Sequence, residues 1–260
     1  MPDANFNWPI WFHRWEAMQN AYLSHRPERF DLMLRWPVWP RDQALRILDL
    51  GCGPGSVALR AAHHFSRAQI LAVDANPILL KMGQMVAGQQ KAPIQFLQAD
   101  LREPAWLQAR AGQFDLALSA TALHWLGQDH LAALYSRIYA ALQPGGWFIN
   151  ADHFASDQPE IQARYQGLRQ ERQQLALLNA QADDWNGYWR GLGMAVEGAV
   201  AEPPDVAERD YEGSDDGYPK AFHFQALHDA GFESIAFLWQ DLGDAILAAQ
   251  KPAKVIPKFQ

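Results

Sequence analysis

Residues 48–56 read LDLGCGPGS, three glycines and a proline directly behind an aliphatic run. Gly51, Gly53 and Gly55 permit positive φ and let a ligand approach bare backbone. A run such as LRILDL, short and aliphatic, reads as a strand buried in a parallel sheet. Val57, Ala61 and Phe65 then recur every four residues, which reads as a helix. The stretch is therefore a strand, a glycine corner and a helix.

Outward from this corner the pattern repeats. QILAVDA reads as a second strand and PILLKMGQMVAGQQ as a second helix, with Pro77 in its first turn. IQFLQAD is a third strand, and FDLALSATALHWL opens with a fourth. Leu131, Leu134, Ile138 and Leu142 mark a helix stopped by QPGG, and WFINADH is a fifth strand. Such alternation predicts a doubly wound α/β sheet. SIAFLWQD and DAILAAQK read as an antiparallel pair at the sheet edge, after a helix ending at Gly231. Between them and the fifth strand, residues 158–220 are too long for a plain connection. Ile161, Tyr165, Leu168, Leu175 and Leu178 give that segment a helical stripe, and DDWNGYWRGLG reads as loop or short helix. Residues 1–40 hold five of the eleven tryptophans, with Trp8, Trp11, Trp15 and Tyr22 at helical spacing.

Two ligands use a glycine corner of this kind. A dinucleotide sets its pyrophosphate on the helix N-terminus and favours G-x-G-x-x-G. Here the third glycine comes one residue early, and Ser56 holds the dinucleotide position. The alternative is S-adenosylmethionine, which has no phosphate to cradle. Asp49 suits its ammonium group, or else caps the following helix. Asp74 ends the second strand, where a carboxylate accepts a ribose diol, which fits NAD as well as S-adenosylmethionine. Asp100 ends the third strand, where it suits an adenine amino group, with the next backbone N–H, that of Leu101, donating to the ring.

ILDLGCGPGSVAL, AVDANP, FLQADL, FDLALSATALHWL and LQPGGWF stand in the order and spacing of class I S-adenosylmethionine-dependent methyltransferases. The sequence resembles that family over residues 44–153, and more weakly over 221–252. The ALHWL segment is similar to the small-molecule branch that includes trans-aconitate, malonyl-carrier-protein and juvenile-hormone-acid methyltransferases. The resemblance implies a mostly parallel seven-stranded sheet with an antiparallel edge strand, S-adenosylmethionine as cofactor and S-adenosylhomocysteine as product. It implies cofactor contacts from Gly51, Gly53, Gly55, Asp74, Ala75, Asp100 and Leu101, with the backbone of Ser119 or Ala120 near the methionine end.

Methyl transfer is an in-line displacement on an already activated sulfonium, so alignment supplies much of the acceleration. A base is needed only when the acceptor must lose a proton. His124 and His153 are the candidate bases at strand ends, with His223 further off. His63 and His64 read as a solvated helix face. Trp11 and Trp15 are candidates to close a substrate pocket, with Trp125, Trp185 and Trp189 on other walls. An anionic acceptor would instead call on Arg14 or Arg190.

The 260-residue chain suits a single domain, in which residues 1–40 form a helical lid and residues 158–220 an inserted cap. Its net charge of −7 disfavours a nucleic-acid partner, leaving a small-molecule acceptor as the expected one. A tRNA or protein methyltransferase, or a cofactor-binding protein without turnover, are the competing classes. Cys52 is the single cysteine, so no intramolecular disulfide forms and no metal site is expected. The N-terminus lacks signal-peptide character and no run suggests a membrane span, which points to a cytoplasmic protein. The sequence leaves the oligomeric state open.

Overall fold

The computed structural model describes residues 6–196 and 212–253. Residues 1–5 of the expected lid and 197–211 of the expected cap lie outside the described residues.

The chain opens with α1 (Trp8–Tyr22), where Asn7 accepts from the Ile10 N–H and Pro9 sits in the first turn, and continues to α2 (Arg26–Arg35). There follow β1 (Arg46–Leu50), α3 (Ser56–His64), β2 (Gln69–Asp74), α4 (Pro77–Gln90), β3 (Ile94–Gln98), α5 (Ala105–Gln108) and β4 (Phe114–Ala120). A 3-10 turn, Leu123–Trp125, leads into α6 (Gln128–Ala141) and β5 (Leu142–Ala155). Then come α7 (Pro159–Ala180), α8 (Trp185–Ala195), β6 (Tyr218–Pro219), α9 (Lys220–Ala230), β7 (Ser234–Asp241) and β8 (Asp244–Gln250).

The main sheet runs in the order β3-β2-β1-β4-β5-β8-β7, and the two-residue β6 pairs with β5. β1 to β5 are parallel, and β8 runs antiparallel to both β5 and β7. Strand alternation splits the core in two. Phe148 and Phe154 of β5 face the layer of α6 and α9, while Ile149 and Ala151 face Phe30, Met33 and Leu34 of α2 and the apolar side of α3. Each face buries a continuous apolar surface, the main favourable term in folding.

Two details differ from expectation. The helix marked by Leu131, Leu134 and Ile138 ends at Ala141, ahead of QPGG, but Leu142 and QPGG lie inside β5, opposite a register shift between Phe114 and Leu116 of β4. The segment read as helical forms α7, but its stripe is not packed as core: Leu168, Leu175 and Leu178 are exposed, and no side chain of this helix is buried. DDWNGYWRGLG takes the helical one of its two expected forms, and Asp184 accepts from the Gly187 N–H to start α8.

Residues 1–40 also divide. α2 lies on the sheet, whereas Trp8, Trp11, Trp15 and Met18 of α1 join Leu79 and Met82 of α4 and Tyr188, Trp189 and Leu192 of α8 in a third apolar cluster. Glu16 fastens α1 to the glycine corner by accepting from the Ser56 hydroxyl at 2.5 Å, and it pairs with the buried Arg26 at 2.9 Å.

Gly51 has φ +65°, and a Cβ there would stand 2.3 Å from the Ala122 Cβ. Gly51→Ala therefore adds a steric collision to a left-handed penalty of about 1–2 kcal/mol. Thermal unfolding should show a clear drop in Tm, and Ala122→Gly in the same chain should recover the part caused by the collision.

Candidate active site

The glycine corner lies where β1 hands over to α3. Gly55 is the N-cap of α3 with φ +86°, and it has no side chain to satisfy the helix N–H groups. Asp49 on β1 fills that role. Its Oδ2 accepts from the Ala58 N–H at 3.0 Å, and the residue is 1% exposed. Of the two roles expected for Asp49, the structure displays the helix cap. Burial pushes its carboxyl up to about 7, while the Ala58 bond opposes and the Asp74 charge adds to the rise.

Asp74, at the end of β2, shapes the same corner. Its Oδ2 accepts from the Gly53 N–H at 2.7 Å and its Oδ1 from the Asn76 N–H at 2.8 Å. A carboxylate accepts about four hydrogen bonds, so holding the loop and meeting a diol are compatible. Ala75 follows, and its carbonyl accepts from Gln98. Asp100 lies two residues past β3 and is held by Arg102, whose Nη2 donates at 2.7 Å. That bond keeps the Asp100 carboxyl below the usual carboxylate range despite partial burial. The Leu101 side chain is buried and reaches toward Gly51. Ser119 on β4 is buried and donates to the Leu50 carbonyl at 2.8 Å, while Ala120 ends the strand.

The carboxyl ends of β4 and β5 and the start of β8 bring together side chains that lie far apart in sequence. His124 Nδ1 meets Asp152 Oδ1 at 2.6 Å, and His153 Nδ1 meets Asp244 Oδ1 at 2.6 Å. The two imidazole centroids are 4.9 Å apart. Burial raises the cost of an Asp152 carboxylate, but the His124 charge and hydrogen bond, with His153 beside it, hold it well below the ordinary range. Asp244 is lowered by its His153 bond and by Arg29, against the effect of burial. Asp152 and Asp244 are not among the candidates from sequence. Only the antiparallel register that sets His153 opposite Asp244 reveals the second pair. His223 is separate, buried against Tyr135 Oη at 2.7 Å and lowered by burial to about 4.

The tryptophans divide in the same way. Trp15, Trp185 and Trp189 pack with centroids 5.7–6.2 Å apart, and Trp11 joins them through Tyr188. The Trp15 ring lies 3.5 Å from where a Gly53 Cβ would stand, so this cluster abuts the glycine corner. Trp125 lies apart on the 3-10 turn, 37% exposed and 5.1 Å from the His124 ring. Arg14 is engaged by Asp183 at 2.8 Å and stacks on Trp11, and Arg190 is exposed. A cavity of about 120 Å³ between the α1–α2 turn, α7 and the β7–β8 turn is lined by Tyr22, Gln162, Tyr165, Arg169 and Asp244. Asp244 thus joins the cavity wall to His153.

Residues 47–146 match the family model of the methyltransferase domain. This stretch is similar to class I S-adenosylmethionine-dependent methyltransferases. A trans-aconitate 2-methyltransferase of Azoarcus sp. is 33% identical over 136 residues, 51% of this chain and 48% of that protein. A carboxy-S-adenosyl-L-methionine synthase of Vibrio cholerae is 34% identical over 118 residues, 44% of this chain and 46% of that protein. The chain spans about half the length of the curated relatives it matches. In fold it resembles a putative methyltransferase of Bacillus halodurans, with TM-score 0.56, 16% identity and coverage of 86% of this chain and 99% of that one. Human N-acetylserotonin methyltransferase in complex with SAM gives TM-score 0.53 at 17% identity, covering 97% of this chain and 61% of that one. His153 and Asp244 lie outside the matched methyltransferase domain. The donor set fits its cofactor: a glycine cradle that a Cβ at Gly51 would distort, beside carboxylates on successive strand ends.

The raised Asp49 carboxyl makes stability depend on pH. Its ordinary value of 3.8 is below its folded value of about 7, so ionising it costs the folded state. This stability is full below about pH 4 and is lost as pH rises toward 7, by about 1.4 kcal/mol for each pH unit. Asp49→Asn stays uncharged and can still accept from Ala58. Its Tm should match the parent near pH 4 and exceed it near pH 8, in scans without added cofactor.

Proposed function

We propose that this chain is an S-adenosylmethionine-dependent methyltransferase whose acceptor is a small molecule that must give up a proton, such as a hydroxyl or a protonated nitrogen. The observation that carries the reading is the pair of imidazoles at the strand ends, each held through Nδ1 by its own aspartate. A carboxylate acceptor needs no base. Two oriented His–Asp pairs at the edge where such sheets bind ligands serve an acceptor that does need one.

When bound, the cofactor supplies an electrophilic methyl group on sulfonium. The residues proposed to hold it are Gly51, Gly53 and Gly55 by their backbone, Asp74 and Ala75 at the ribose, Asp100 and Leu101 at the adenine, and Ser119 and Ala120 at the methionine end. Asp49 supports them by anchoring the helix behind the corner. An imidazole of the pair takes the acceptor proton while its aspartate stabilises the imidazolium. We place the acceptor between the histidines and the cavity walled by Asp244. The α1 tryptophans with α8 act as the lid that excludes water, since Trp15 packs on the glycine corner. A second reading keeps a carboxylate acceptor, on the ground of the identity to trans-aconitate 2-methyltransferases.

Two experiments test this reading. Calorimetry with S-adenosylhomocysteine should give binding that Asp74→Ala weakens by roughly 2–4 kcal/mol, the scale of two charge-assisted bonds. The same variant should lose thermal stability, because Gly53 and Asn76 lose their acceptor.

A labelled-methyl transfer screen over metabolite extracts, with nuclease- and protease-treated controls, identifies the acceptor class. Replacing His124 and His153 together by Gln should cut turnover about 10²–10⁴-fold and spare S-adenosylhomocysteine affinity. A carboxylate product with turnover unchanged in that variant favours the second reading. Label in RNA or protein, or in nothing, overturns the small-molecule assignment.

A further inference from the structure

The carbonyl and the carboxylate of Asp100 are both held by the segment that follows them. Trp106 of α5 donates its Nε1–H to the Asp100 carbonyl at 3.0 Å, and the Glu103 N–H donates to the same oxygen at 3.1 Å. A trans peptide points its C=O and its N–H in opposite directions. Fixing the Asp100 carbonyl therefore fixes the direction of the Leu101 N–H, which has no hydrogen-bond partner among the described residues. The Leu101 side chain is buried, 3.9 Å from where a Gly51 Cβ would stand, so the pair is seated beside the glycine corner.

The carboxylate is held by one residue. Arg102 donates its backbone N–H to Oδ1 at 2.8 Å, closing an Asx turn, and its Nη2–H to Oδ2 at 2.7 Å. Its Nε–H is shared, 3.1 Å from each oxygen. A two-toothed arginine fixes the plane of a carboxylate as well as its charge. A carboxylate accepts about four hydrogen bonds, and Arg102 supplies three donors, which leaves one place. The Asp100 side chain keeps 35% of its surface exposed. The Ala99 N–H donates to the Asp74 carbonyl at 3.0 Å, which sets Asp100 beside the acid proposed at the ribose.

An acceptor and a donor, each aimed by a neighbour, thus stand on consecutive residues. Adenine has the matching edge, an amino group that donates and a ring nitrogen beside it that accepts. Hypoxanthine has the reverse, a carbonyl that accepts and a ring N–H that donates.

Resting on the cofactor contacts proposed above, we propose that Arg102 and Trp106 are positioning residues that make the site select adenine over hypoxanthine. Arg102 presents Asp100 as an acceptor with one place open, and Trp106 aims the Leu101 N–H. Neither side chain touches the purine in this assignment.

Calorimetry with S-adenosylhomocysteine and with S-inosylhomocysteine, which differ only in the purine, tests this without turnover. The unaltered chain should prefer the adenine compound by at least about tenfold, the scale of a base edge read by paired hydrogen bonds. Arg102→Met should remove most of that preference, mainly by weakening S-adenosylhomocysteine. Arg102→Lys keeps the charge without the fork and should not restore it. Trp106→Phe keeps a ring and loses the N–H, and should weaken the adenine compound more than the hypoxanthine one. Glu212→Gln alters a second carboxylate near Arg102, at 3.9 Å, and should leave the preference as it was. A purely structural role would weaken both compounds alike. Equal losses for the two compounds, full rescue by Arg102→Lys, a Glu212→Gln effect as large as that of Arg102→Met, or an unaltered chain without preference overturns the proposal. Should Arg102→Met fail to fold by circular dichroism, Trp106→Phe decides. Asp100→Asn, whose amide also donates, separates this proposal from the reading beneath it. Unchanged affinity and preference in Asp100→Asn overturn the adenine contacts and the proposal with them. A preference lost in Asp100→Asn but kept in Arg102→Met and Trp106→Phe overturns the proposal alone.

Discussion

The left-handed corner between β1 and α3 is the constraint on which the rest of the fold depends. Gly51 and Gly55 both hold positive φ, and each lies where a side chain would collide or crowd. Gly51 admits Ala122 from the turn after β4, and Gly55 lies against the ring of Phe96 from β3. The corner thus brings the end of β1, the turn after β4 and the middle of β3 together. Its shape is maintained by two buried or half-buried carboxylates that accept backbone N–H groups, Asp49 from Ala58 and Asp74 from Gly53. Asp49 replaces the capping side chain that Gly55 cannot supply, and Asp74 holds the loop ahead of it. The backbone freedom needed for ligand approach is in this way confined to one conformation.

Much of this is legible in the sequence because it is local. Strand, glycines and helix are consecutive, Asp74 ends β2, and Asp100 lies two residues past β3. α4 matches its expected segment because Asn76 accepts from the Ile78 and Leu79 N–H groups and Pro77 fixes the first turn. The stripe on α7 misleads because helical spacing reports a possible apolar face, not a partner for it, and Leu168, Leu175 and Leu178 remain in solvent. QPGG reads as a breaker because proline and glycine usually are. In β5 the register shift opposite Phe114 absorbs them.

The histidine pairs are only half legible. His124 and His153 stand out as residue types, but their partners are set by topology. Asp152 is adjacent to His153 in sequence, yet its Oδ1 meets the His124 ring, 28 residues away. Asp244 is 91 residues from His153 and arrives through the register of β8 on β5. Neither pairing has a signature of spacing. Both are consequences of where strands begin and end.

The reversal of β8 has a further consequence for how such a protein can change. Because β8 begins at the edge where β1 to β5 finish, the tip of its hairpin with β7, Leu242 and Gly243, projects beside His153 and the adjoining cavity. The hydrogen-bonded ladders of the hairpin lie behind that tip, in the sheet. Residues inserted or exchanged at the tip would remodel the wall of the cavity and leave the ladders in register. On the function proposed above, the hairpin is thus a place where acceptor preference could be changed while the glycine corner stays as it is.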